Sequence, residues 1–204
     1  MKRLWLIITV CLFLIACGNK GAGPGGTDSK SAFEVKIEGT VVPIEVKSSW
    51  QSQNSYTEYS KNPSPTTALH QFAIRNYAYD KPNGTIMASN EKLSAPGQVL
   101  VYFTLYGENG KSDEKTPVKV GTYTGGGAMN MNLGRVLVYR YGDGKDDLKI
   151  IAYDSGSADN KGSVKITAVT ADTVTGEIDA TGKSDGKDVS VKGPFTVKIY
   201  KPGT

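Results

Sequence analysis

Histidine is almost missing from this chain, with His70 the only one in 204 residues. A single imidazole excludes any metal centre or catalytic pair that needs two histidines. Cysteine is nearly as scarce, with Cys11 and Cys17 alone, so neither a disulfide scaffold nor a cysteine-built zinc site can be assembled. A strong charge of one sign is lacking too: the net charge of +4 is too small to argue for nucleic acid as a partner. The longest apolar run, Leu4 to Ala16 broken only by Thr9, is thirteen residues, against about 20 needed to span a bilayer. Gly125-Gly126-Gly127 lacks the Lys and the strand–loop–helix setting of a phosphate loop. What the chain does have is glycine, 24 residues, and tyrosine, 11, in the composition of a globular domain.

Met1-Lys2-Arg3 and the apolar run after it match the positive start and core of a secretory signal peptide. The run ends Leu14-Ile15-Ala16-Cys17-Gly18, which resembles a bacterial lipobox. The resemblance implies cleavage before Cys17, a diacylglycerol thioether on its sulfur and a third acyl chain on its new amino group. One acyl chain binds a membrane only marginally, whereas two or three anchor stably at about 0.8 kcal/mol per buried methylene. Cleavage also removes Cys11, so no disulfide remains possible, and it takes two of the 24 basic residues, leaving 22 against 20 acids. Gly18 to Ser31 contains five Gly and one Pro without periodicity. It reads as a flexible tether with a typical span of roughly 20 Å. An Asp after the lipidated Cys retains enteric-type lipoproteins in the inner membrane; here the residue is Gly18, which by that resemblance favours the outer membrane.

From Ala32 onward the dominant period is two, the mark of half-buried strands. Phe33, Val35 and Ile37 alternate with Glu34, Lys36 and Glu38. Val99 to Tyr106 is apolar on both sides and is expected to lie centrally, and Val136 to Tyr141 and Ile150 to Ala152 follow as strands. Val164–Ala168, Val174–Ala180 and Val189–Ile199 alternate most regularly and predict an antiparallel meander with one wet face. Pro194 points to the wet side and has no N–H, which places its strand at an edge or at a bulge. Thr67 to Tyr77 fits a helical stripe or a strand, and its extended surroundings favour the strand. The expected architecture is all-β, a single antiparallel β-sandwich or a small barrel over residues 32–204, behind a signal peptide (1–16) and a lipidated, tethered segment (17–31).

Pro117-Val118-Lys119-Val120-Gly121-Thr122-Tyr123 carries a Gly-Thr-Tyr step. Gly162-Ser163-Val164-Lys165-Ile166-Thr167, followed by Val174-Thr175-Gly176-Glu177-Ile178, forms a hairpin pattern, and Val191-Lys192-Gly193-Pro194-Phe195 a closing strand. With the lipobox, these stretches resemble small bacterial lipoproteins and secreted β-sandwich proteins of unknown function that are frequent in Bacteroidetes-like genomes. The likeness covers roughly the last 90 residues. It implies the fold and the location, and it carries over no activity.

Little in the body points to chemistry. His70, beside Leu69 and Phe72, reads as a surface or core-edge histidine. The acids are expected to cluster in turns: Asp113-Glu114, Asp143, Asp146-Asp147, Asp154, Asp159, Asp185 and Asp188. Glu177 and Asp179 share a strand face and are the one pair that could serve a glycan hydrolase, although they read more simply as solvated. The loop Gly142–Asp147 offers three carboxylates to Ca²⁺, but its spacing misses the EF-hand pattern and Lys145 competes. No cofactor or resident metal is expected. The surplus is tyrosine. Tyr56 and Tyr59, Tyr77 and Tyr79, Tyr102 and Tyr106, and Tyr139 and Tyr141 come in close pairs. With Trp50 they offer an aromatic surface, Trp50, Tyr139 and Tyr141 being the candidate ligand-binding residues; the plainer reading is sheet packing by strong strand formers. Gly125–Gly127 with Met129 and Met131 forms a loop that could gate that surface. The expected function is that of a lipid-anchored, non-enzymatic envelope module binding an envelope protein or a glycan through those aromatics, with Cys17 as the attachment point. The rivals are a carboxylate-dependent glycan hydrolase and a structural coat or assembly lipoprotein.

Overall fold

The structure, a computed structural model, describes residues 32–42, 44–57, 59, 64–79, 91–108, 110, 116–125, 131–141, 148–154 and 160–201. Cys17, the tether and the acidic loop 142–147 lie outside these residues. Among the described residues the chain is all strand: β1 (Glu34–Ile37), β2 (Thr40–Val42), β3 (Ser48–Thr57), β4 (Thr66–Arg75), β5 (Val99–Tyr106), β6 (Gly121–Thr124), β7 (Leu133–Arg140), β8 (Leu148–Asp154), β9 (Lys161–Val169), β10 (Thr173–Ser184) and β11 (Lys187–Ile199).

The strands form one continuous, mixed sheet in the order β6-β9-β10-β11-β3-β4-β5-β7-β8, with β1 on β11 and β2 on β1. The sheet does not close into a barrel. All its ladders are antiparallel except one: β11 meets β3 in parallel, through Lys198 with Trp50 and Ile199 with Gln51. At this short seam the sheet turns over and its two halves face each other as a sandwich. The first half is the meander that the alternation predicted. Val174, Ile178, Ala180, Val189, Val191 and Val197 point in and are buried, while Glu177, Asp179, Lys183 and Lys192 point out and are exposed.

Pro194 solves its missing donor in a way the alternation did not foresee. β11 is an interior strand, not an edge. Its far side, however, pairs with β1 only as far as Lys192 and with β3 only from Lys198, so Pro194 falls in the gap between two neighbours. Gly193 before it adopts φ 125°, and a Cβ there would come within 2.7 Å of the Ala32 carbonyl oxygen.

The second half is built on β5, buried from Val99 to Leu105, with β4 and β7 on either side. Its inward residues Phe72, Ile74, Val101, Phe103, Val136 and Val138 meet the first half in the main core. Phe72 and Phe103, cross-strand partners, stack with centroids 4.6 Å apart. Phe195 from the other half meets both edge-on, at 6.0 and 5.3 Å. Near β8 the halves come closer still. There a Cβ on Gly162 would stand 2.8 Å from the Tyr153 ring, and one on Gly182 2.6 Å from the Ala152 carbonyl oxygen. Glycine is therefore required at both places by close approach.

Because Phe195 is the ring that spans the two halves, Phe195→Ala removes both edge contacts and leaves a cavity. It is expected to cost about 3–5 kcal/mol, whereas Phe195→Leu should cost clearly less. Urea unfolding followed by tyrosine and tryptophan emission measures the difference.

Candidate functional site

The two outer faces of the sandwich differ in chemistry. On the first half, successive outward residues are Lys, Thr, Glu, Asp and Ser. Their charges meet across strands, as in Lys192 with Asp179 at 3.0 Å and Lys187 with Glu38 at 3.2 Å, all exposed. Glu177 and Asp179 line an open groove of about 380 Å³ with Lys165, Lys192 and Pro194. The two carboxylates project side by side from one strand, and Asp179 is tied to Lys192, so they do not face each other across a bond to be cleaved. A second open groove of about 490 Å³ carries Lys36, Lys161 and Lys183 with Asp188 among them.

On β3, β4, β5 and β7 of the second half the outward residues are aromatic, apolar or neutral polar, with Arg75 and Arg135 the charged ones. The register places Trp50 beside Ala73, Ala73 beside Tyr102, Tyr102 beside Leu137 and Leu137 beside Ile151. Around them gathers a second apolar cluster in which Leu93, Leu100 and Tyr139 are buried and Trp50, Tyr77, Tyr141 and Tyr200 are half-buried. The three candidate residues Trp50, Tyr139 and Tyr141 thus do come together. Tyr139 is only 9 % exposed, and burial raises its phenol above the ordinary range. Sheet packing explains most of Tyr139, while Trp50 and Tyr141 keep part of their rings at the surface. Trp50 meets Tyr200 edge-on at 6.5 Å and has the Lys198 ammonium 5.8 Å from its ring.

Residues that the alternation alone does not single out complete this face. One row above Tyr102, Ser52, Gln71, Thr104 and Arg135 stand on four neighbouring strands. The Gln71 amide donates to the Tyr102 hydroxyl at 2.7 Å and accepts from Asn54 Nδ2 at 3.0 Å and Ser52 Oγ at 3.4 Å. Burial pushes the Tyr102 phenol up to about 12, against the Gln71 hydrogen bond and the Arg135 guanidinium, which favour the phenolate. Beyond this row Tyr56 and Tyr106 meet edge-to-face at 5.1 Å. Tyr106 lies over Gly134, where a Cβ would come within 2.7 Å of its ring.

At the opposite end of β4 sits a buried ion pair. Arg75, 1 % exposed, binds Glu91, 7 % exposed, through Nε to Oε1 at 2.6 Å and Nη2 to Oε2 at 2.5 Å. The Tyr77 hydroxyl also donates to Glu91, and burial together with that carboxylate raises its phenol above the ordinary range. Tyr79 lies under the guanidinium at 4.2 Å. The segment Glu91–Gln98 is thereby held across the sheet, and its Leu93 joins Ala73, Leu100, Tyr102, Leu137 and Tyr139 in the apolar cluster. Its turn is closed by Gln98 Oε1, which accepts from the backbone of Ser94 and Ala95.

His70 is not at the surface or at the core edge. It shares the inward parity of Phe72 and Ile74, is 1 % exposed, and has Gln51 Nε2 at 3.4 Å from Nδ1. Burial pushes its imidazole down to about 4, so it is neutral at physiological pH. Gly182-Lys183-Ser184-Asp185-Gly186 has the spacing of a hydrolase nucleophile elbow, but it closes the hairpin between β10 and β11 and no helix follows it. Of the loop expected to gate the aromatics, Gly125 lies against the Tyr153 hydroxyl and Met131 packs on the main core. The described residues include no cluster of three His, Cys, Asp or Glu that would hold a metal ion, and the loop 142–147 lies outside them. No helix among them is long and apolar enough to cross a membrane. No family model, no curated protein and no solved structure matches the chain.

Two measurements follow from this geometry. Glu91→Gln leaves the Arg75 charge buried without its carboxylate and should cost about 3–5 kcal/mol in urea unfolding, with much of the loss recovered when Arg75→Met is added. His70 takes up a proton more readily in the unfolded chain, at about 6.5, than in the fold, at about 4. Stability therefore falls as pH drops from about 6.5 to 4 and levels off below that, by about 3 kcal/mol in all. In His70→Gln this histidine-linked part of the acid slope should vanish.

Proposed function

We propose that the chain is a lipid-anchored module of a bacterial cell envelope that works by binding, not by catalysis, and that it binds through the outer face of the β3–β4–β5–β7–β8 half. The observation that carries this reading is the asymmetry of the two outer faces. One is an ordinary wet face whose charges pair with each other across strands. The other presents half-buried Trp50, Tyr56, Tyr106 and Tyr141 at the surface of a large sheet. Large aromatic rings at a surface stay there at a cost in water, and they are the residues that anchor binding interfaces.

The anchor in this reading is Cys17, carrying the acyl chains of the lipobox that Leu14-Ile15-Ala16-Cys17 resembles, and Gly18 favours the outer membrane. The tether of Gly18–Ser31 then holds the sandwich roughly 20 Å from the bilayer, near enough for an envelope protein or a glycan to be its partner. Glu177 and Asp179 speak against the hydrolase alternative by their placement, side by side on one exposed strand.

Cys17→Ser should abolish labelling by radioactive palmitate and move the protein from the membrane to the soluble fraction. In the anchored wild type, a photo-crosslinking amino acid at Trp50 or Tyr141 should give one dominant adduct. The same probe at Glu177 should give none. Adducts of equal strength from both faces, or from neither, would overturn the reading.

A further inference from the structure

Along β3 the outward residues are Trp50, Ser52, Asn54 and Tyr56, two aromatic rings at the ends of a short polar stretch. At about 3.3–3.4 Å per residue the rings are carried roughly 20 Å apart. Tyr56 packs on Tyr106 at one end, Trp50 packs on Tyr200 at the other, and all four rings are half-buried, so each keeps a surface for a ligand. Between them lies the row that runs through the exposed Arg135 on β7 to its register partner Asp154 on β8.

The polar row is built, not incidental. Gln71 is buried and uses its amide on three partners, donating to the Tyr102 hydroxyl and accepting from Asn54 and Ser52. The Tyr102 oxygen accepts from Gln71 and so has its own proton to give. Asn54 donates to Gln71 at one side of this network and is half-buried, and Arg135 stands on the same row at the other side, exposed. The outward positions of β3, β4, β5 and β7 hold no Asp or Glu, and the acid in register with this row, Asp154 on β8, stands opposite Arg135. A cationic peptide would therefore meet a single strand acid, set opposite a cation, and a purely apolar partner would bury the surface groups of Asn54 and Arg135 at a cost of about 1–3 kcal/mol per unpaired group.

A saccharide has the complementary chemistry. Its C–H faces stack on aromatic rings, and its neighbouring hydroxyls take and give hydrogen bonds with a planar guanidinium or an amide. We infer that this face binds a glycan chain laid along β3 from Trp50 to Tyr56, with Tyr106 and Trp50 as stacking platforms and Arg135 and Asn54 as the hydroxyl-reading groups. The inference rests on the proposed binding role of the face and names its ligand class.

The test is affinity electrophoresis of the detergent-solubilised, membrane-extracted chain in gels containing laminarin, xylan, mannan or dextran. At least one polymer should retard the wild type. Tyr106→Ala and Arg135→Met should each weaken the retardation about tenfold, the loss of one good contact. Glu177→Gln on the wet face should change nothing. Arg135 is exposed, so Arg135→Met keeps the test decisive if Tyr106→Ala fails to fold. Retardation that survives both substitutions would overturn the assignment of the glycan to this face. No retardation by any polymer, together with a single protein adduct from Trp50, would overturn the glycan and leave the binding role of the face. No retardation and no adduct would overturn both.

Discussion

Among the described residues the two halves of the sandwich are laddered at two pairs of backbone positions, where Lys198 and Ile199 meet Trp50 and Gln51, and bridged once more between Thr124 and Asn132. So short a ladder cannot hold one sheet half over the other. The halves stay together because their inward faces are apolar, with Phe195 set against the stacked Phe72 and Phe103. Burial of apolar area, not hydrogen bonding, fixes their separation. The glycines at 162 and 182 bring the β8 side in where larger side chains would hold it off. Everything on the outer faces depends on this, since outward parity is only the complement of the parity that packing fixes.

The same packing explains why the second outer face is aromatic. β5 and its neighbours are central strands, so their outer side chains have sheet on both sides and little access to water even before anything covers them. Tyr102, Tyr139, Leu100 and Ala73 meet that condition with apolar bodies. Glu91–Gln98 then lies over part of them, and Arg75 with Glu91 is what ties it there. A buried ion pair gives little net stability against an apolar replacement. Here it gives position, because the Nε and Nη2 of Arg75 both bind the one carboxylate of Glu91.

Much of the fold was legible from the alternation of residues. The last three strands follow from period two and β5 as a central strand from apolarity on both sides, whereas Thr67 to Tyr77 fits a helix as well and only its extended surroundings favour the strand found at Thr66–Arg75. β3 was not legible. Ser48-Ser49-Trp50-Gln51-Ser52-Gln53-Asn54-Ser55-Tyr56-Thr57 has no run of alternating apolar residues, because its inward positions are all polar and its outward ones carry rings only at Trp50 and Tyr56, and its inward Gln51 serves His70 instead of packing. The parallel seam was hidden for another reason: strand order across 148 residues is decided by packing between the halves and leaves no local mark. His70 was misread because its neighbour in sequence, Leu69, suggested an apolar edge, while its parity with Phe72 was the informative relation. Of the candidate face, tyrosine spacing revealed the rings. It could not reveal Gln71, Asn54, Arg135 or the pairing of Arg75 with Glu91, since each meets its partner only through register or through the path of a connection.

β4 shows why those missed residues matter together. Its outward positions run Leu69, Gln71, Ala73, Arg75, and two of the four are polar groups buried in the middle of a sheet. A buried amide or guanidinium must find partners or lose several kcal/mol. Gln71 finds them on both neighbouring strands, Asn54 and Ser52 on β3 and Tyr102 on β5, and so locks the side chains of the polar row in one arrangement. Arg75 finds its partner in Glu91 and so locks the covering segment. Apolar residues at 71 and 75 would pack as well and fix neither. The pairing of Gln71 and of the Arg75 Nε and Nη2 is therefore what turns a tyrosine-rich sheet surface into a face with defined groups at defined places, which is the property a recognition surface needs.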